Sequence, residues 1–166
     1  GGGIVLDGAL YRGWAEVGHI VVQAVGPSCQ GSCHGRGHLE TLASGTAADR
    51  AARELFGEGA DARELEERAR AGDAGAVARL DEIAGYLGAA IGSLAKLFDP
   101  ELVIVGGGFG EAAGDLLLGP AQAAARAEAL APADATLRVV SAELGTDAGL
   151  IGAALVGYAA LEAGAS

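Results

Sequence analysis

The chain contains no methionine and a single lysine, Lys96. Aromatic residues are scarce too: three Phe, three Tyr and one Trp. With 51% of its residues apolar, the 166-residue chain can still build one domain core, made of Ala, Leu, Val and Ile. The shortage of basic side chains excludes a class of partner. Eleven Lys and Arg against 22 Asp and Glu give a net charge of −11. Such a surface repels phosphate backbones, so nucleic-acid binding by this chain is not expected. No apolar run reaches about 18 residues, which argues against a membrane span. No basic-then-apolar leader precedes the first strand pattern, so a cytoplasmic location is expected. The two cysteines, Cys29 and Cys33, lie four residues apart, a spacing that in a non-secreted chain favours metal over a disulfide. The missing methionine, with Gly1-Gly2-Gly3 directly before an apolar stretch, leads to the expectation of a piece of a longer protein, cut inside a glycine-rich turn.

What is present is ordered. Residues 4–6, Asp7-Gly8 and residues 9–11 read as a β-hairpin, and 19–25 as a third strand ended by Gly26-Pro27-Ser28. Residues 27–38 lack periodicity and form a loop. A helical pattern starts at Leu39 and continues through Ala47, Ala51, Leu55 and Phe56. A polar helix follows near 62–71. The longest stripe, Val77, Leu80, Ile83, Ala84, Leu87, Ile91, Leu94 and Phe98, predicts a helix stopped by Asp99-Pro100. The short apolar run 101–105 suits a buried parallel strand. A helix over 111–131, a strand over 136–141 and a helix over 147–163 complete an α/β domain with a mixed sheet and helices packed on it.

All three histidines and both cysteines fall between His19 and His38. These are ligands that zinc prefers. His19, Cys29, Cys33 and one of His34 or His38 make a four-donor set, which leaves no open position and points to a structural role. His38 is favoured, because a residue adjacent to a ligand usually points away from the same metal, whereas Gly35 and Gly37 let the chain curl back. The competing reading is buried cysteines and surface histidines with no metal between them. Two acids, Glu16 and Glu40, bracket the cluster. They are either solvated glutamates or acceptors for a ligand's hydroxyl hydrogens. Gly106-Gly107-Gly108 at the end of the 101–105 run permits close backbone approach to a nucleotide, or a plain tight turn.

Together these stretches resemble the C-terminal part of the sugar kinase and repressor family called ROK (repressor, open reading frame, kinase). The resemblance rests on Gly1-Gly2-Gly3-Ile4-Val5, Glu16-Val17-Gly18-His19, the Cys29–Glu40 loop, Leu42-Ala43-Ser44-Gly45, Asp99-Pro100-Glu101 through Gly108, and Gly149 to Ala154. In one place the chain departs from the family. The usual Cys-x-Cys-x4-Cys is Cys29-x3-Cys33-x4-His38, with two residues inserted and His in place of the third Cys. Four zinc-competent donors remain when His19 is included. Ala15 also stands where Gly often precedes the Glu.

The resemblance implies an actin-like, ribonuclease-H-like ATPase fold, with residues 1–166 as a C-terminal domain containing the zinc loop 27–38. It implies sugar binding by Glu16, His19 and Glu40. It implies a structural zinc on His19, Cys29, Cys33 and His38. ATP with magnesium would meet the phosphate-side turn at Gly1 and Gly2 and the adenosine-side turn at Gly106, Gly107 and Gly108. The family's general base, an aspartate in an Asn-Asp-type motif, would lie upstream, so no catalytic residue is expected in this chain and the piece alone would be inactive. The implied activity is glucokinase-type phosphorylation of a hexose, glucose to glucose 6-phosphate, a step of glycolysis. The alternative is a sugar-responsive repressor whose DNA-binding module lies upstream. A homodimer of the full-length protein fits the long apolar helix and the Ala-rich surface.

Overall fold

The computed structural model describes residues 1–164. β1 (Val5–Leu6) and β2 (Ala9–Leu10) pair antiparallel in the register Val5↔Leu10 and Leu6↔Ala9. Asp7 and Gly8 between them both have positive φ, 51° and 76°, as a two-residue hairpin of matching twist requires. The expected third strand over 19–25 is not formed. Val17–His19 is a single 3-10 turn, and Val21 makes one isolated antiparallel bridge, to His38. The reason is local: the amides of Val22 and Gln23 both donate to the Gly37 carbonyl, which turns the backbone instead of extending it.

Helices α1 (Leu39–Leu42) and α2 (Gly45–Phe56) are separate, because Ser44 adopts an extended conformation and its side chain accepts from Ala47 N at 3.2 Å. α3 (Ala62–Arg70) and α4 (Ala74–Phe98) start with the same device, from Asp61 and Asp73. Asp99 takes the left-handed conformation after α4, φ 44°, and Pro100 prevents continuation. The stripe read along α4 is buried in its middle, at Leu80, Ile83, Ala84 and Ile91, while Val77 and Phe98 at its ends are exposed.

β3 (Val103–Val105) and β4 (Val139–Ser141) pair in parallel, with Val103↔Val139, Ile104↔Val140 and Val105↔Ser141. β3 is not buried on both faces, since Ile104 is exposed. The sheet is thus present as two separate pairs, one antiparallel and one parallel, among the described residues. The helix expected over 111–131 is two helices, α5 (Gly108–Ala113) and α6 (Asp115–Glu128). Gly114 between them has φ 50° and ψ −126°, a combination open to glycine. α7 (Ala133–Thr136) is one short turn before β4, and α8 (Ala148–Gly164) follows a 3-10 turn at Gly145–Asp147. No helix among the described residues is long and apolar enough to cross a membrane.

The core explains why so few aromatics suffice. In the main cluster nine of thirteen buried residues are alanine, alongside Leu65, Leu80, Ile83 and Leu117. α4 and α6 pack at very short range because Gly88 and Gly92 face Ala121, Ala124, Ala125 and Glu128; a Cβ on either glycine would overlap those atoms. A second cluster joins Ile91 and Ala95 of α4 to Leu118, Ala125, Leu137 and Val139. The start of β4 is fastened to α6 by polar ties. Arg126 donates to the Leu137 carbonyl at 3.2 and 3.1 Å, and Gln122 accepts from Val139 N at 2.8 Å.

Candidate functional site

The 27–38 loop closes on itself. Cys29 N donates to Gly35 O at 2.9 Å, Gly37 N to Pro27 O at 2.8 Å, and Ser28 bridges Arg36. Gly37 supplies the curl, with φ 61°, and its Cα lies so near the Gln23 carbonyl that a side chain has no room. Gly35 does something else. A Cβ there would overlap the imidazole of His38, so its hydrogen makes space for that ring. His38 directly precedes α1, and its carbonyl accepts from Thr41 N and from the buried Thr41 Oγ1 at 2.8 Å.

These ties bring His19, Cys29, Cys33 and His38 together, with one ligand atom from each within 4.8 Å of the others. His34 is exposed and lies outside the group. Cys33 Sγ is 3.6 Å from His38 Nδ1 and accepts from Gly35 N at 3.4 Å. The His19 and His38 rings meet edge to face at 5.3 Å. His19 Nδ1 is buried and has no hydrogen-bond partner. A buried imidazole nitrogen that makes no hydrogen bond, beside two free thiols, fits a metal.

The carboxylates join the same imidazole. Glu16 Oε2 is 3.6 Å from His19 Nδ1, and Glu40 Oε1 is 3.6 Å from His19 Nε2. Glu16 is the more exposed, 60% against 29% for the Glu40 side chain. Glu40 stands in the first turn of α1. It also accepts from Cys29 Sγ at 3.3 Å. Burial pushes the Cys29 thiol up to about 11, and the bond to Glu40 pushes the same way. Gly1 and Gly2 run alongside: Gly2 packs on Val17, and Gly18 faces both Glu40 and the Gly1 nitrogen.

Gly106, Gly107 and Gly108 lie elsewhere, where β3 ends and α5 begins. Their neighbour is the Gly145–Asp147 turn after β4, and Glu111 of α5 reaches across to it, its carboxylate against Gly145. Glu111 escaped the sequence reading; an acid three residues after the glycine run was the only signal.

The likeness to solved ROK kinases gives the class: an actin-like ATPase-type domain, here carrying a loop whose four His and Cys side chains could hold a metal. The chain belongs to the ROK family, whose model matches residues 1–159. It is 38% identical over 174 residues to the glucokinase of Thermotoga maritima, a match covering 94% of this chain and 54% of that protein. A ROK family glucokinase from Streptomyces griseus, solved in complex with glucose and AMPPNP, has a TM-score of 0.83 and 35% identity, over 94% of this chain and 56% of that one. A ROK family transcriptional regulator, a homolog of the E. coli MLC protein, has a TM-score of 0.73 and 30% identity, over 84% of this chain and 38% of that one. The chain therefore spans about half the length of the glucokinases it matches.

Proposed function

We propose that the parent protein is an ATP-dependent sugar kinase of the glucokinase type, and that this chain supplies its sugar-binding acids, its structural zinc and part of its ATP site. The observation that carries this is the sharing of His19: one ring lies between Glu16, Glu40 and the Cys29/Cys33/His38 group. A sugar presents several hydroxyl donors, and ionised carboxylates are acceptors only, so Glu16 and Glu40 match it. Zinc held by His19, Cys29, Cys33 and His38 would offset the negative charge of the thiolates and fix the loop, which pre-positions both acids and the ring. The resemblance assigns the proton-accepting aspartate to a motif outside residues 1–166. The glycines at 106–108 border the nucleoside and those at 1–2 its phosphates.

The similarity to glucokinases covering nearly all of this chain supports kinase over regulator. The likeness to a transcriptional regulator of the same family keeps a sugar-responsive repressor as the second reading. The test is a coupled assay of the full-length protein with ATP, magnesium and a panel of aldohexoses. Sugar-dependent ADP release, lowered by Glu16→Gln and Glu40→Gln, is expected. Sugar binding with no turnover would overturn the kinase reading in favour of the regulator.

A further inference from the structure

β3 and β4 run parallel and end together, with Ala142 N donating to Val105 O at 2.9 Å as the last rung. Each strand then passes into a glycine turn, Gly106–Gly108 after β3 and Gly145–Asp147 after β4. The carboxyl ends of parallel strands are where open α/β sheets hold nucleotides. Glu111 spans the two turns. It sits on α5, one helical turn beyond Gly108, and its Oε1 and Oε2 lie 3.1 and 3.3 Å from where a Cβ on Gly145 would be. Glycine at 145 thus leaves the carboxylate its place. That carboxylate is exposed and makes no hydrogen bond or ion pair among the described residues.

We infer that Glu111 binds the ribose hydroxyls of the nucleotide; this rests on reading the chain as part of an ATP-dependent kinase. The chemistry is selective. A carboxylate offers two acceptor oxygens and no donor, so it pairs with adjacent hydroxyls in a two-point contact. It repels phosphate, so the triphosphate must leave this corner and run away from Glu111. The same charge disfavours any nucleotide carrying a 2′-phosphate.

The experiment uses the full-length protein, wild type and Glu111→Ala, with calorimetric binding and KM measured for ATP, 2′-deoxy-ATP and ITP. In the wild type 2′-deoxy-ATP is expected to bind roughly tenfold or more weaker than ATP, the loss of a charge-assisted hydrogen bond. In Glu111→Ala, ATP weakens by a similar factor and the preference over 2′-deoxy-ATP disappears, with the KM for the sugar unmoved. Gly145→Ala, which crowds the carboxylate, moves the same ratio in the same direction. An ATP to 2′-deoxy-ATP ratio unchanged in Glu111→Ala overturns the inference. So does a loss confined to discrimination against ITP, which would assign Glu111 to the base. If the wild type binds ATP but phosphorylates no sugar, the kinase reading fails while the binding ratio still decides the role of Glu111.

Discussion

Cys29 donates its thiol hydrogen to Glu40 Oε1 at 3.3 Å. One contact thereby joins the loop that carries the thiols to the helix that carries an acid. Without a metal, burial, then Glu40, then Cys33 all oppose ionisation of Cys29. A 2+ ion reverses that preference, since the thiolate is the ligand.

The pH dependence has a definite sign. The Cys29 thiol is raised from 9.0 to about 11 in the folded, metal-free state. Its contribution to stability is full below the unfolded value and is lost as pH rises through the folded one. Zinc-stripped protein should therefore lose Tm between pH 9 and about 11. Zinc-loaded protein should not, because the thiolate is already formed. Adding zinc at neutral pH should release about two protons, one per thiol. Differential scanning fluorimetry and calorimetry in two buffers check both; zinc uptake without proton release would sink the assignment.

Ligand substitutions should separate the two candidate histidines. His38→Ala or Cys33→Ser should lower zinc affinity by more than the roughly 10–100-fold that loss of an outer partner costs. His34→Ala should leave it unchanged. His38→Cys should retain zinc, since it restores a third sulfur donor. Metal content per chain by mass spectrometry is the readout.

The two acids should act on sugar and not on metal. Glu16→Gln keeps the size and removes the charge. The KM of the full-length protein for its sugar should rise roughly tenfold or more, with zinc content intact. Parallel loss of zinc would make Glu16 part of the metal site instead.

The isolated 166 residues should transfer no phosphate from ATP to glucose, because the resemblance puts the general base outside them. Measurable turnover above a zinc-only control would require a base within this chain.

Glycine-to-alanine changes should split by neighbour, two on α4 and one in the 27–38 loop. Gly88→Ala forces a methyl into Ala124 and the Ala121 carbonyl and should destabilise by about 1–3 kcal/mol. Gly85→Ala meets nothing within 4 Å and should stabilise by up to about 1 kcal/mol. Gly37→Ala combines a left-handed φ with overlap on Gln23, so it should cost zinc occupancy as well as Tm. Thermal melts of the three variants under one condition give the comparison.

Much of this was legible because the signals were local. Asp7-Gly8 dictated its hairpin, and Asp99-Pro100 ended α4 where the stripe ended. The four side chains that converge within 4.8 Å could be grouped beforehand because His34 is the one other His or Cys in the sequence. The errors arose where a distant partner decided. Ile20-Val21-Val22 has strand composition, yet Gly37, many positions away, takes the amides that would extend it. The break at Gly114 was visible as a glycine, but helix patterns tolerate isolated glycines, and only its dihedral angles reveal the corner. Glu111 could not be singled out, because its place beside Gly145 depends on β3 and β4 lying side by side.

A core made of alanine, with glycine at the closest helix crossing, reverses the usual direction of fragility. Truncation scanning removes little from such an interior, since most of its side chains are already a single methyl. Enlargement is what it does not tolerate: Ala48, Ala52, Ala76, Ala84, Ala90, Ala113, Ala121 and Ala125 have no solvent-exposed surface through which an added carbon could escape. Sequence drift in this domain should therefore be free to exchange Leu, Ile and Val at its edges, and be held tightest at its smallest residues.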